Sequence, residues 1–333
     1  MNSDIQNQPP PSPLRRLLRL LRTEKKDIGY VYLYAIVTGL ISLSLPLGIQ
    51  AVFNLVSSGL VFSSVYVLIG LVVLGVLVTG FLMVAQMTLV EIMQQRIFAK
   101  AAFEYTYRLP RIRPEALSAY YPPELMNRFF DVLTVQKGLP KLLIDLTAAA
   151  MQILFGIILL SFYHPVFLVF GLFTLITIAV ICWVYGSQGI QTSLNESKYK
   201  YRVVSFLEEF ARDIARFRHQ STREPIDRMD ELVAGYVSYR NAHFRVLKRF
   251  FYSAIGFKTI TTGGLLILGT SLVVARQMTL GQFVAAELII VLISGSVEKL
   301  ISGIDTVFDM LTAVEKIANV TDLPLETEST DHA

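Results

Sequence analysis

The chain has 333 residues, 53% of them hydrophobic and 17% charged. A mean hydropathy of +0.53 excludes an ordinary soluble globular domain and points to a membrane protein with several spans. The net charge of +4 calls for no nucleic-acid partner, because Lys and Arg collect in the cytoplasmic loops of membrane proteins.

Residues 1–13 are polar and Pro-rich, lack the apolar run of a secretory signal, and are expected to be disordered. Over 14–26 the spacing predicts an amphipathic helix lying in the membrane interface. Leu14, Leu17, Leu18 and Leu21 fall at i, i+3, i+4 and i+7, with Arg15, Arg16, Arg19 and Arg22 on the other faces. A nucleic-acid patch is the rival reading, disfavoured by the span that follows.

Ile28 to Val90 holds no Lys, Arg, Asp or Glu over 63 residues. A bilayer core about 30 Å thick takes roughly 20 apolar residues as helix, so this run predicts two spans, about 28–56 and 62–90. The turn between them is placed at Ser57-Ser58-Gly59 and Ser63-Ser64. No strong breaker follows until Leu109, so the second span is expected to run on from Glu91 as a cytoplasmic helical stalk. Pro110, Pro114, Pro122 and Pro123 then break the chain, with room for one or two helical turns over 115–121. Helix is expected to resume at Glu124 and to cross again over about 139–162.

A second charge-free run, Leu146 to Asn195, predicts the rest of the third span and a fourth over 165–190, with Pro165 in its first turn. From Glu196 to Lys258 a second stalk-and-return loop is expected, its crossing piece within about 208–225. The fifth span is placed at 251–275 and the sixth at 279–303, continuing towards Val320; Thr321 to Ala333 reads as an acidic tail. This arrangement puts 29 of the 30 Lys and Arg residues on one side and Arg276 alone on the other. Both termini are therefore expected in the cytoplasm. The fold class is all-α: six long transmembrane helices with cytoplasmic helical extensions.

Chemistry-bearing residues are sparse. Cys182 stands alone, so neither an intrachain disulfide nor a thiolate zinc site is expected. His164, His219, His243 and His332 are scattered, and no nucleophilic triad is visible. Glu287 is a carboxylate well inside a span, eight residues and so about 12 Å past Thr279. A charge at that depth must face a cavity, a partner or the bundle interior. It is read as lining a translocation path or, alternatively, as a hydrogen-bonded packing residue. Gln50 and Asn54 carry the same pair of readings, as do Gln86 and Gln152. Lys258 lies too near the cytoplasmic face to pair with Glu287 and is expected to snorkel.

Several local patterns carry a resemblance. They are Ile41 to Gln50 with Pro46; Leu109-Pro110 followed by Tyr120-Tyr121 and Glu124-Leu125-Met126-Asn127-Arg128-Phe129; and Glu208-Glu209-Phe210 through Phe217. Thr279-Leu280-Gly281-Gln282-Phe283 and Ala313-Val314-Glu315-Lys316-Ile317, with Leu323-Pro324, complete the series. In order and spacing they resemble the transmembrane domain of a type I ABC exporter, nearest to the protein-secretion and peptide-exporter branch. One departure is Pro123, where the family has Gly before the Glu-Leu pair.

The resemblance implies a dimer, homo- or heteromeric, in an inner (plasma) membrane, moving substrate by alternating access. It assigns energy coupling to the loop tips, where Arg113, Tyr120, Tyr121, Arg212, Arg216 and Phe217 are the candidate docking residues. Aromatic and Arg side chains at the end of long stalks are the types that anchor protein interfaces; packing within the same dimer is the competing reading. No Gly-x-x-x-x-Gly-Lys-Ser/Thr loop occurs, and no Gly-Lys pair. The chain is therefore expected to bind no cofactor itself, with ATP held by a separate ATPase subunit. A non-transporting scaffold derived from an exporter remains open. A secondary carrier is disfavoured by the lack of deep ionisable residues in spans one to five.

Overall fold

The structure, a computed structural model, describes residues 12–57, 63–118, 120, 122–219 and 223–326. Among these, six helical stretches are long and apolar enough to cross a bilayer: Lys25–Ser57, Ser63–Arg111, Glu124–Ser161, Val166–Arg212, Arg223–Val274 and Leu280–Thr321. Most of the N-terminal segment 1–13, the first outer turn near 58–62 and the tail beyond 326 lie outside the described residues.

Helix α1, Pro13–Arg22, starts on a proline at its first turn, where a missing N–H costs nothing. Its apolar stripe divides. Leu17 is buried, and Leu20 and Leu21 pack against the same cluster, whereas Leu14 and Leu18 stay exposed.

The stretch expected as one helix over 28–56 is two, α2 (Lys25–Ser42) and α3 (Ser44–Ser57). Pro46 is the cause. It cannot donate to the carbonyl of Ser42, and its ring crowds that carbonyl. The chain breaks at Leu43, whose N–H turns to Leu40 O at 3.2 Å.

The second span and its stalk form one helix, α4 (Ser63–Arg108), of 46 residues, roughly 69 Å long at 1.5 Å per residue. A 3-10 turn, Leu109–Arg111, and two short helices, α5 (Pro114–Leu117) and α6 (Pro122–Asn127), make the first loop tip.

The return helix is also interrupted, which the sequence reading did not anticipate. A turn at Arg128 and Phe129 separates α6 from α7 (Phe130–Pro140), and a π-helical segment, Lys141–Leu146, follows before α8 (Thr147–Ser161). Pro140 removes one helical donor, and a wider π turn accommodates the gap.

Helix α9 (Val166–Arg212) and helix α11 (Arg223–Val274) run unbroken for 47 and 52 residues, with α10 (Ile214–His219) as the crossing piece. The turn between α11 and the next helix falls at 275–278, and Arg276 adopts φ 55 there. The expected sixth span is α12 (Leu280–Ser302), and the chain runs on after Gly303 as α13 (Ile304–Thr321).

The start of α12 explains one motif in physical terms. Thr279 Oγ1 accepts from the Gln282 N–H at 3.1 Å while Gln282 Oε1 accepts from the Thr279 N–H at 2.8 Å. This is a capping box, which satisfies two orphan donors at once. Gly281 between them lets the Asn54 side chain of α3 lie in the space a Cβ would take.

Helix α12 is the innermost element. Ala285, Ala286, Ile289, Ile290, Ile293 and Val297 are almost fully buried, in contact with α8 and α11. In lipid such packing is held by close van der Waals contact, because the tails are as apolar as the side chains. A second cluster joins α1, α2, α4, α7 and α13 around Met93, Leu139 and Met310.

Candidate functional site

Within the membrane the sixth span presents Glu287. It is half-buried and makes no hydrogen bond or ion pair with a described residue. Val291, one turn on, is 58% exposed, and Glu298, eleven residues past Glu287 and so about three turns on, is exposed on the same side of the helix.

Lys258 does not merely snorkel. Its Nζ pairs with Glu298 Oε2 at 3.1 Å, joining α11 to α12.

The uncharged polar residues are placed in contacts between helices. Tyr163 donates to Gln50 Oε1 at 2.6 Å, buried Gln86 donates to Val31 O at 3.2 Å, and Gln152 Oε1 accepts from Ser296 at 2.8 Å. Asn54 is exposed beyond its contact with Gly281. No hydrogen bond joins Glu287 to Gln50 or Asn54.

At the first loop tip Arg113 turns inward along the chain. Its N–H donates to Pro324 O at 3.0 Å and its Nε to Leu325 O at 3.1 Å, while the Glu326 N–H donates to Arg111 O at 2.7 Å. Ile112 and Leu325 thus pair antiparallel, tying the tip to the segment after α13. Tyr120 is 36% exposed, with the Arg128 guanidinium 5.4 Å from its ring centre. Tyr121 lies outside the described residues.

At the second tip Arg212 ends α9 and is exposed. Arg216 and Phe217 fall in α10, and their side chains lie outside the described residues. The two loops meet where Asn127 Nδ2 donates to Glu208 Oε1.

Two further ionic groups link distant segments. Arg16 pairs with Glu315 Oε2 at 3.2 Å and with Asp322, holding α1 against the end of α13. Glu24, 5% exposed, is held by Lys100 and Arg96, and Arg96 also reaches Asp27 at 2.6 Å. Burial pushes the Glu24 carboxyl up, but its bonds to Lys100 and Arg96 outweigh this and hold it below the usual carboxylate range.

A polar centre that the sequence reading missed lies where α7, α9, α11 and α13 converge. His243 of α11 is fully buried, with Nδ1 2.9 Å from Thr192 Oγ1 and Nε2 3.2 Å from Asp305 Oδ1. Ser193 and Thr312 hydroxyls lie 2.8 Å apart, Arg240 pairs with Glu196 at 3.1 Å, and Tyr201 donates to buried Asp131.

Burial raises the Asp131 carboxyl above its ordinary range. Asp309, beyond the end of the span, opens to solvent on one side. The surrounding protein still withdraws enough water, with Asp305 adding repulsion, to push it up to about 6.

The signal was present as helical spacing: Asp305, Asp309, Thr312 and Lys316 on α13, and Ser193, Glu196, Ser197 and Lys200 on α9. Each set alone reads as a solvated face, and only the packing brings the faces together. Among the described residues no three His, Cys, Asp or Glu side chains are placed to hold a metal ion.

A family model describing the ABC transporter transmembrane region matches residues 28–210, more than half of the chain. The comparison with curated proteins returns no match. That match covers the first four spans and both sides of the first loop, and the remaining helices complete the six-helix architecture, so the chain belongs to the ABC transporter transmembrane family.

Proposed function

We propose that the chain is the membrane subunit of an ATP-driven exporter. It dimerises, forms a translocation path by alternating access, and is driven through its loop tips by a separate ATPase subunit. Both termini face the cytoplasm, as the distribution of Lys and Arg requires. The 333 residues contain no phosphate-binding loop, so the ATP-hydrolysing unit lies outside them.

The observation that carries the path is Glu287. A charged side chain at the centre of a membrane helix costs about 2.5–3.5 kcal/mol on insertion scales, and no described residue offsets that cost. A water-lined passage, closed by a second copy, does. Glu287, Val291 and Glu298 then form one wall of it. At the tips, Tyr120 and Arg212 have exposed side chains, with Tyr121, Arg216 and Phe217 beside them in sequence. Arg113 acts by fixing the tip to the segment 324–326.

Purification with a tagged chain tests the reading. A nucleotide-binding protein is expected to accompany it, with ATP hydrolysis that changes on reconstitution into lipid. Stable isolation with no such companion would favour the scaffold reading instead. Within the complex, Glu287→Gln is expected to reduce substrate stimulation of that hydrolysis by about tenfold, the worth of one charged hydrogen bond. Unchanged stimulation would remove Glu287 from the path.

A further inference from the structure

The polar centre encloses a crevice of about 170 Å³, lined in part by Asp131, Ser197, Lys200, Arg240, Asp309 and Thr312. Most of its polar groups already have partners in the fold: Arg240 with Glu196, Thr312 with Ser193, Asp131 with Tyr201. Three do not. The Ser197 hydroxyl is 6% exposed and has no hydrogen-bond partner. The Asp309 carboxylate and the Lys200 ammonium, both exposed, make no hydrogen bond or ion pair with any described residue, and the ammonium lies 5.4 Å from the centre of the Tyr201 ring. Leaving a hydroxyl buried and unpaired is unfavourable, and native structures rarely do so without a water or a ligand.

The groups open to a ligand are a carboxylate on α13 and, on the facing helix α9, an ammonium and a buried, unpaired hydroxyl. A lone cation would satisfy Asp309 and leave Lys200 facing it; a lone anion would do the reverse. The volume falls below the roughly 300–1,000 Å³ of pockets for drug-sized ligands.

We propose that this crevice binds a small zwitterion, an α-amino acid of about the size of glycine or alanine. Its ammonium sits on Asp309, its carboxylate on Lys200, and the Ser197 hydroxyl donates to that carboxylate from the crevice floor. The site is open to the cytoplasm and does not depend on the transport reading. Its ligand reports to α13, the helix whose end is tied to the first loop tip.

Calorimetric titration of the purified chain in lipid nanodiscs with glycine tests this, with methylamine and acetate as ligands of single charge. Glycine is expected to bind saturably, and methylamine and acetate at least tenfold more weakly. Lys200→Met and Asp309→Asn should each weaken glycine about tenfold, as loss of a charged hydrogen bond does, and Ser197→Ala severalfold. Arg245→Ala, exposed on α11, should leave binding unchanged. Lys200 is itself exposed, so its variant will fold even if the Asp309 variant does not. Absence of saturable glycine binding, equal binding of either single-charge ligand, or wild-type affinity in Lys200→Met would each overturn the proposal.

Discussion

Gly189→Leu is expected to destabilise the folded protein by about 1–3 kcal/mol or more, the range for inserting bulk into a packed interior. Gly189 lies on α9 directly over the Phe308 ring, in the space its own Cβ would fill. Phe308 is 2% exposed and cannot move freely. Its ring centre is 6.1 Å from that of His243 and 6.1 Å from that of Phe250. Displacing it strains the joint that His243 makes with Thr192 and Asp305, where α9, α11 and α13 are held together.

The matched control is Gly186→Ala on the same helix, where nothing lies within 4 Å of an added Cβ. That substitution should be neutral or stabilise by about 0.5–1 kcal/mol, since Ala fixes helix better than Gly. Thermal aggregation midpoints of the two variants in detergent separate these outcomes; equal midpoints would contradict the packing described for α9 and α13.

Arg16→Glu is expected to free the end of α13. Arg16 is 9% exposed in its side chain and bridges Glu315 and Asp322, so the substitution sets three carboxylates against one another. Breaking a fully buried pair costs about 3–5 kcal/mol. Asp322 is 51% exposed, and solvent screening reduces the expected cost to about 2–3 kcal/mol. Hydrogen exchange across residues 314–326 should accelerate by one to two orders of magnitude, about 1.4 kcal/mol per factor of ten.

Ile112 pairs with Leu325 just past that helix, so once the end of α13 is loose the first loop tip loses this anchor. Arg15→Glu, on an exposed neighbour, should leave exchange in 314–326 as it is. Unchanged exchange in Arg16→Glu would show that α1 does not hold the helix end.

Much of this architecture is legible from charge alone. Two runs without Lys, Arg, Asp or Glu mark four of the spans, and the long helices α4, α9 and α11 follow from the absence of breakers. The start of the sixth span was readable because Thr279 and Gln282 carry a purely local bonding pattern.

What escaped depends on which face of one helix meets another. Pro46 was visible, yet whether a proline bends a span or splits it depends on what takes up the freed carbonyl, and here the chain broke at Leu43. Arg113 reads as a free docking residue until the chain returns 212 residues later to Leu325. The crevice draws on four helices between Asp131 and Asp309, and no spacing rule connects them. Glu287 was legible as costly but not as unpartnered, since that needs the positions of every neighbouring side chain.

One face of the sixth span, from Glu287 through Val291 to Glu298, is expected to be wetted within the thickness of the membrane. Thiol labelling tests it directly. In a Cys182→Ser background, Val291→Cys lies twelve residues and so about 18 Å past Thr279, at mid-membrane depth. Ile176→Cys on α9 is similarly exposed, at 51% against 58% for Val291, and serves as the lipid-facing comparison. A charged, membrane-impermeant thiol reagent supplied from the cytoplasmic side should modify the cysteine at 291 at least tenfold faster than the one at 176. Equal rates at the two positions, or no reaction at 291, would mean that this face lies against lipid and that the chain holds no passage there.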